Sequence, residues 1–247
     1  MQTKSPVSVS VIIPVYNEEK LVRTAIEDCL RKLDADFEDY ELIIIDDGSK
    51  DDTASILRTH FSNEPRLVLS PNNINLNQGV SVQRGMAIAT KDYTVHNGID
   101  LPLDIKDLRQ LLDGVGDADV LILQRKQYAG ATSWRLVTSN VNILIRTLLF
   151  PILTRGIKDM NYTQIYKRTI LKSILPLAKS PAFTTPEMIL RAKTAGLKIE
   201  TRDVVFHART HGSGSLGKLH DILWTIYDMF RFRYLLWIGL QVHGKVK

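Results

Sequence analysis

At 247 residues, 44% hydrophobic and 24% charged, the chain has the make-up of a soluble globular protein and is long enough for one sizeable core with an appendage. One cysteine excludes an internal disulfide and fits a reducing compartment. The net charge of +5 suits nucleic acid, anionic lipid or phosphorylated substrates, but Lys and Arg are dispersed and neither zinc-finger spacing nor an aromatic RNA-binding signature occurs. Nucleic acid is therefore not an expected partner.

Residues 1–8 lack a basic start followed by a long apolar run, so no secretory leader and a cytoplasmic location are expected. Val9–Tyr16 (VSVIIPVY) is an apolar β run, too short to span a bilayer, that ends in the polar cluster Pro14–Glu18. Residues 20–33 place Val22, Ile26, Cys29, Leu30 and Leu33 at helical spacing, with Cys29 as core filling rather than a nucleophile. Tyr40–Ile45 is a continuous apolar run, as expected of a strand buried on both faces, and Asp46–Ser49 follows it. A helix over Asp51–Phe61, a strand over Arg66–Ser70, a helix over Val80–Thr90 and a short strand over Tyr93–His96 come next. Ile105–Leu112 reads as a helix and Asp119–Leu123 as a further central strand.

This alternation predicts an α/β fold: a doubly wound, mostly parallel sheet flanked by helices, with right-handed crossovers. In such a sheet ligands bind beyond the carboxyl ends of the strands. Pro14–Glu18 and Asp46–Ser49 then face one crevice suited to a nucleotide. A plain strand-to-helix turn capped by Asp51 or Asp52 is the structural alternative for the second cluster.

The second half is less regular. Trp134–Leu153 is a long apolar helical stretch broken by Pro151, Pro186–Ala195 a helix closed by Gly196, and Lys198–Phe206 a strand. Leu216–Leu240 is rich in Leu, Ile, Trp, Phe and Tyr but is interrupted by Asp221, Asp228, Arg231 and Arg233. Mid-segment charges argue against a spanning helix. They favour one lying in a membrane interface, with packing on the core or on a homodimer mate as alternatives. The expected organisation is a globular unit over 1–215 and a C-terminal amphipathic segment over 216–247.

With these residues in place, the chain resembles the family 2 glycosyltransferases of GT-A fold, and within them the dolichyl-phosphate mannose synthase and polyprenyl-phosphate glycosyltransferase branch. Ser10–Glu19 (SVIIPVYNEE) and Asp46–Thr53 (DDGSKDDT) are close to the family's opening motifs, and Asn77-Gln78-Gly79 with Gly85 and Ala89 is similar to its Asn-x-Gly…Gly…Ala segment. Gln124-Arg125 matches a Ser-Arg pair in the arginine only. Asp159–Arg168 (DMNYTQIYKR) resembles an Asp-x-x-(Ser/Thr)-(Gly/Gln) segment, and Arg209–Lys218 (RTHGSGSLGK) a basic loop. One departure stands out. Where the family carries Asp-x-Asp, this chain reads Asn97-Gly98-Ile99-Asp100, with Gly98 in place of the first aspartate.

The resemblance implies an inverting transfer of a hexose from a GDP- or UDP-sugar to a polyprenyl phosphate or glycolipid at a membrane surface. It assigns Pro14, Tyr16, Glu18, Asp46 and Asp47 to the nucleotide, and Arg125, Arg209 and Lys218 to the diphosphate. Asp100 would hold Mg2+ or Mn2+, helped by Asn97 or Asp104. Asp159 and Glu187 fall near the acceptor side, Glu187 in a first helical turn (TTPE), and Gln164 would orient substrate. Transfer to a hydroxyl would require a general base, whereas a lipid phosphate with a second pKa of about 6 is already ionised at pH 7. A nucleotide-sugar-binding pseudoenzyme is the remaining alternative, given Gly98.

Overall fold

In the computed structural model, residues 3–125, 133–204 and 219–239 are described, with backbone alone for 133–138 and 219. Seven strands form one sheet in the order β3-β2-β1-β4-β6-β5-β7. β1 (Val9–Val15), β2 (Tyr40–Asp46), β3 (Leu67–Leu69) and β4 (Tyr93–His96) run parallel to their neighbours, as β5 (Val120–Arg125) does to β7 (Ile199–Val204). The exception is β6 (Gln164–Lys167), antiparallel to both β4 and β5. Sequence reasoning missed β6 and the helix α6 (Arg168–Ile174) that follows at once. Four residues between an irregular turn and a helix are too few to display a period.

Helices cover both faces. On one, α1 (Val22–Asp36), α2 (Thr53–Phe61) and α4 (Ile105–Asp113) close a core around Val11, Ile13, Leu42, Ile44, Val95 and Ile165. Cys29 lies within it, and burial pushes its thiol up to about 12, consistent with core filling. On the other face, α3 (Gln78–Ile88), α6 and α7 (Pro181–Thr194) meet Ile12, Ile43, Val120 and Tyr166. Gly85 lets α3 approach the sheet, since a Cβ there would collide with the Ile12 side chain.

α7 starts at Pro181, five residues before the expected Pro186, which lies inside it. Pro186 has no N–H for the carbonyl one turn back. That carbonyl, of Ala182, instead accepts from Asn161 Nδ2 at 2.8 Å. A side chain 21 residues away replaces the missing bond, which sequence spacing cannot reveal.

α5 (Ser133–Leu149) and α8 (Leu219–Trp237) lie beyond α7. The inner side of α8 buries Met229 and Phe232, with the Phe232 ring centroid 5.6 Å from Phe150 and 6.2 Å from Phe183. Its outer side exposes Leu223, Trp224, Tyr227, Phe230, Tyr234 and Trp237. The helix thus shows its larger aromatic surface to the outside. Among the described residues, no helix is long and apolar enough to cross a membrane.

Candidate active site

The carboxyl edge of the sheet is built by two adjacent arrangements. At the ends of β1 and β2, the two loops are bonded together. Asn17, at φ 55, donates its N–H to Ser49 Oγ (3.0 Å), and its Oδ1 accepts from the Lys50 amide (2.8 Å). The Glu18 amide donates to Thr53 Oγ1 at 2.8 Å, and the Glu19 amide to Asp51 Oδ2 at 3.2 Å. Asp51 also accepts from the Thr53 amide at the start of α2, so the expected turn cap is present alongside the crevice.

Asp46 and Asp47 are both buried and do different work. Asp46 Oδ1 accepts from the Ser49 amide (3.0 Å), which closes the turn. Asp47 Oδ1 accepts from Asn72 Nδ2 (2.7 Å) and the Leu76 amide (2.9 Å), which draws the 70–77 loop over the end of β2. Gly48 makes this approach possible: at φ +71, a Cβ would lie 2.6 Å from the Ile74 carbonyl carbon. Asn77 then opens α3, its Oδ1 accepting from the Gly79 and Val80 amides. Pro14 and Glu18 are half-buried and Tyr16 is exposed along this edge.

The second arrangement follows β4. Asn97 Nδ2 donates to the Leu103 carbonyl (2.8 Å), and its Oδ1 accepts from the Leu103 amide (3.3 Å), bracing the 97–103 loop. Asp104 caps α4 through the Lys106 amide and meets Lys32 Nζ at 3.5 Å. These two are therefore structural, which corrects the expectation that either assists a metal. Asp100 is half-buried, and its carboxylate lies against Gly98, where a Cβ would collide with Oδ1. The space of the missing aspartate is thus occupied by the retained one. Leu101, at φ 48, is in the left-handed region that bulky residues rarely adopt, at the turn that follows Asp100.

Beside this loop, Arg125 at the end of β5 donates Nε to Asp159 Oδ2 at 2.6 Å, and its guanidinium lies 5.2 Å from the Tyr162 ring centroid. The Tyr162 hydroxyl donates to the Pro102 carbonyl (2.9 Å), joining the two loops. Burial, opposed by Arg125 and reinforced by Asp107, Asp159 and Asp100, pushes that phenol up to about 12. Gln124, in place of the family's serine, accepts from the Lys158 amide at 3.0 Å. Arg146 on α5 is buried and donates Nη1 to Asn161 Oδ1 at 2.8 Å. Sequence reasoning missed this cation because it read the surrounding stretch as apolar.

Two expected site residues have other positions. Gln164 is fully buried, and its Nε2 donates to the carbonyls of Met160 (3.1 Å) and Tyr162 (2.9 Å). It orients the turn that carries Asp159 and Tyr162 and has no surface to offer a substrate. Glu187 is in the second turn of α7, not the first. Its oxygens accept from the Leu177 amide (3.0 Å), the Ala178 amide (2.7 Å) and Arg191 Nε (2.7 Å). Asp228 of α8 accepts from the next two amides, Lys179 and Ser180, at 3.0 and 2.9 Å. Two carboxylates thus clamp four successive N–H groups ahead of α7. Arg209, Lys218 and the glycines at 212–217 lie outside the described residues, as do His207 and His211.

Among the described residues no three His, Cys, Asp or Glu side chains gather as a metal cluster. The 97–100 stretch offers one carboxylate, Asp100, where Asp-x-Asp would offer two.

A strand order of 3-2-1-4-6-5-7 with polar loops at the ends of β1, β2 and β4 defines a GT-A glycosyltransferase fold. The comparisons agree. The model of Glycosyl transferase family 2 matches residues 10–175, and the chain belongs to that family. It is 32% identical over 104 residues to an uncharacterized glycosyltransferase, YkcC, of Bacillus subtilis (42% of this chain, 31% of that one). It is 31% identical over 124 residues to a dolichyl-phosphate beta-glucosyltransferase of Dictyostelium discoideum (46% and 38%). A dodecaprenyl-phosphate galacturonate synthase of Rhizobium johnstonii is 27% identical over 254 residues (94% and 70%). The first two matches thus span only about a third of those relatives' lengths. Glucosyl-3-phosphoglycerate synthase of Mycobacterium tuberculosis, in complex with Mn2+, UDP and phosphoglyceric acid, superposes with a TM-score of 0.65 at 19% identity, covering 92% of this chain and 78% of that one.

Proposed function

We propose that this glycosyltransferase moves a hexose from a nucleotide-diphosphate sugar to a polyprenyl phosphate at a membrane surface, with inversion. The observation that carries this reading is that the Asp47 cluster and the Asp100–Arg125–Asp159 cluster lie along one sheet edge. The first offers a base and ribose a shaped loop, with half-buried Glu18 and exposed Tyr16 beside it. The second offers a cation and a carboxylate where a diphosphate would end.

The relatives whose names specify dolichyl and dodecaprenyl phosphate support a lipid-phosphate acceptor. So does the state of the carboxylates. Glu187 is committed to two amides and Arg191, and Asp159 to Arg125 and the Asn161 amide. An acceptor phosphate, already ionised, needs no base from either. The exposed aromatic side of α8, with Arg231 and Arg233 nearby, suits an interface with anionic headgroups.

Neighbours of the same fold crystallised with UDP and Mn2+ or Mg2+ support a divalent ion, which Asp100 would hold. When bound, it would supply positive charge for the departing nucleoside diphosphate. Arg209 and Lys218 would share that task.

The test is a panel of GDP- and UDP-sugars offered with polyprenyl phosphate in vesicles, in EDTA, Mg2+ or Mn2+, for the native chain and Asp100→Asn. One donor should be consumed with transfer to the lipid, and Asp100→Asn should lower kcat by about 100-fold or more. Transfer to a glycan hydroxyl instead would refute the acceptor. Donor binding without turnover under every condition would identify a pseudoenzyme.

A further inference from the structure

Beneath the 97–103 loop, the sheet carries a polar patch that the proposed reaction does not use. Thr94 pairs with Tyr166 across β4 and β6, and the same register sets His96 opposite Gln164. Cross-strand partners and residues two apart point to one face, so all four side chains share the α3–α7 side. Thr94, Gln164 and Tyr166 are fully buried. Thr94 Oγ1, His96 Nδ1, Gln164 Oε1 and Tyr166 Oη are buried without a hydrogen-bond partner among the described residues.

One such atom is a minor defect; four in a block of two cross-strand pairs form a pattern. Each buried polar atom left bare is destabilising, because it has lost its bonds to water and gained none. Of the flanking residues of this face, Ile12 on β1 with Val120 and Ile122 on β5 have nothing to donate or accept, and Ser10, opposite Thr94 on β1, already donates to Glu41 Oε1 and accepts from the Lys91 amide. Cross-strand Cβ atoms lie about 5 Å apart, and those two residues apart along a strand about 7 Å. A water molecule held in such a block needs two to four polar partners. The four groups supply both kinds: two hydroxyls that donate and accept, an amide oxygen that accepts, and an imidazole. Burial pushes His96 down to about 4, so at neutral pH the ring is uncharged and offers one donor and one acceptor.

We infer that Thr94, His96, Gln164 and Tyr166 enclose a pocket that binds ordered water beneath the donor edge of the sheet. The water reaches the active site through Gln164. With Oε1 hydrated, its amide is held so that Nε2 points at the Met160 and Tyr162 carbonyls and fixes the turn bearing Asp159. Gln164 is therefore a positioning residue, and the water is its support.

The sign of a stability change tests this. If water is bound, Tyr166→Phe and Thr94→Val each strip it of a partner, and each lowers Tm by about 2–6 °C. If the atoms are bare, removing one relieves a penalty, and Tm stays level or rises, which overturns the proposal. A crystal structure of the unaltered chain gives the independent reading. Density for water within hydrogen-bond reach of at least two of the four groups is expected. A dry pocket, or direct bonds among the four, overturns it whatever Tm does. Neither measurement involves a nucleotide sugar, so failure of the donor panel leaves it standing.

Discussion

The two halves of the crevice are held by different means. At the ends of β1 and β2, loop residues 17–19 bond to residues 49–53, and Asp47 bonds to the loop that leads into α3. At the ends of β4 and β5 and ahead of β6, Asp100, Arg125 and Asp159 come from three separate segments, joined by Tyr162, Gln164 and Asn97. The first half joins the loops of two neighbouring parallel strands through two short motifs. The second exists only once the antiparallel β6 has entered the sheet.

That difference can be broken from either side. The largest effect is expected at the Glu187 clamp, which holds the segment leading into α7. Glu187→Ala strands the buried Arg191 guanidinium and frees two amides, and should cost about 3–5 kcal/mol in denaturant unfolding. A loss below about 1 kcal/mol would show that the clamp does not secure this half. Next is Gly48→Ala in the first half. The added Cβ meets backbone at a positive φ, so about 2–4 kcal/mol of stability should go, together with donor affinity as Asp47 is displaced. Unchanged donor affinity would separate Asp47 from the nucleotide.

The smallest effect is in the pH dependence. The His96 imidazole falls from 6.5 to about 4 on folding because burial disfavours its charged form. The unfolded chain thus takes up a proton that the folded chain refuses, so stability is fully present above pH 6.5 and is lost as pH falls toward 4. The change is at most about 3 kcal/mol over the whole window. Tm measured against pH should drop through that window in the native chain and drop less in His96→Asn. Parallel curves would assign the acid sensitivity elsewhere.

The sequence was informative where a continuous run of residues carries the signal. Val9–Tyr16 and Tyr40–Ile45 read as buried strands because both faces are covered, and Pro14–Glu18 and Asp46–Ser49 do share one edge. It was silent where a partner lies far along the chain. Pro186 looked like a helix start because the Asn161 side chain that replaces its missing bond is not visible in the helix's own sequence. Glu187 looked like a first-turn carboxylate for the same reason, and Gln164 like a substrate contact because a four-residue strand showed no period to bury it. Gly98 read as a loss, whereas in the fold the Asp100 carboxylate fills its place.

The Asp228 clamp also sets how force passes through the molecule. α8 is fastened by Phe232 in the aromatic core and by Asp228 on the two amides that lead into α7. Arg231 Nη1 donates to the Leu177 carbonyl in the same segment, at 3.2 Å. The helix therefore behaves as a strut and not as a tether. A load applied to its outer side arrives at residues 177–180 and, along α7, at the Ala182 carbonyl bonded to Asn161, two residues from Asp159.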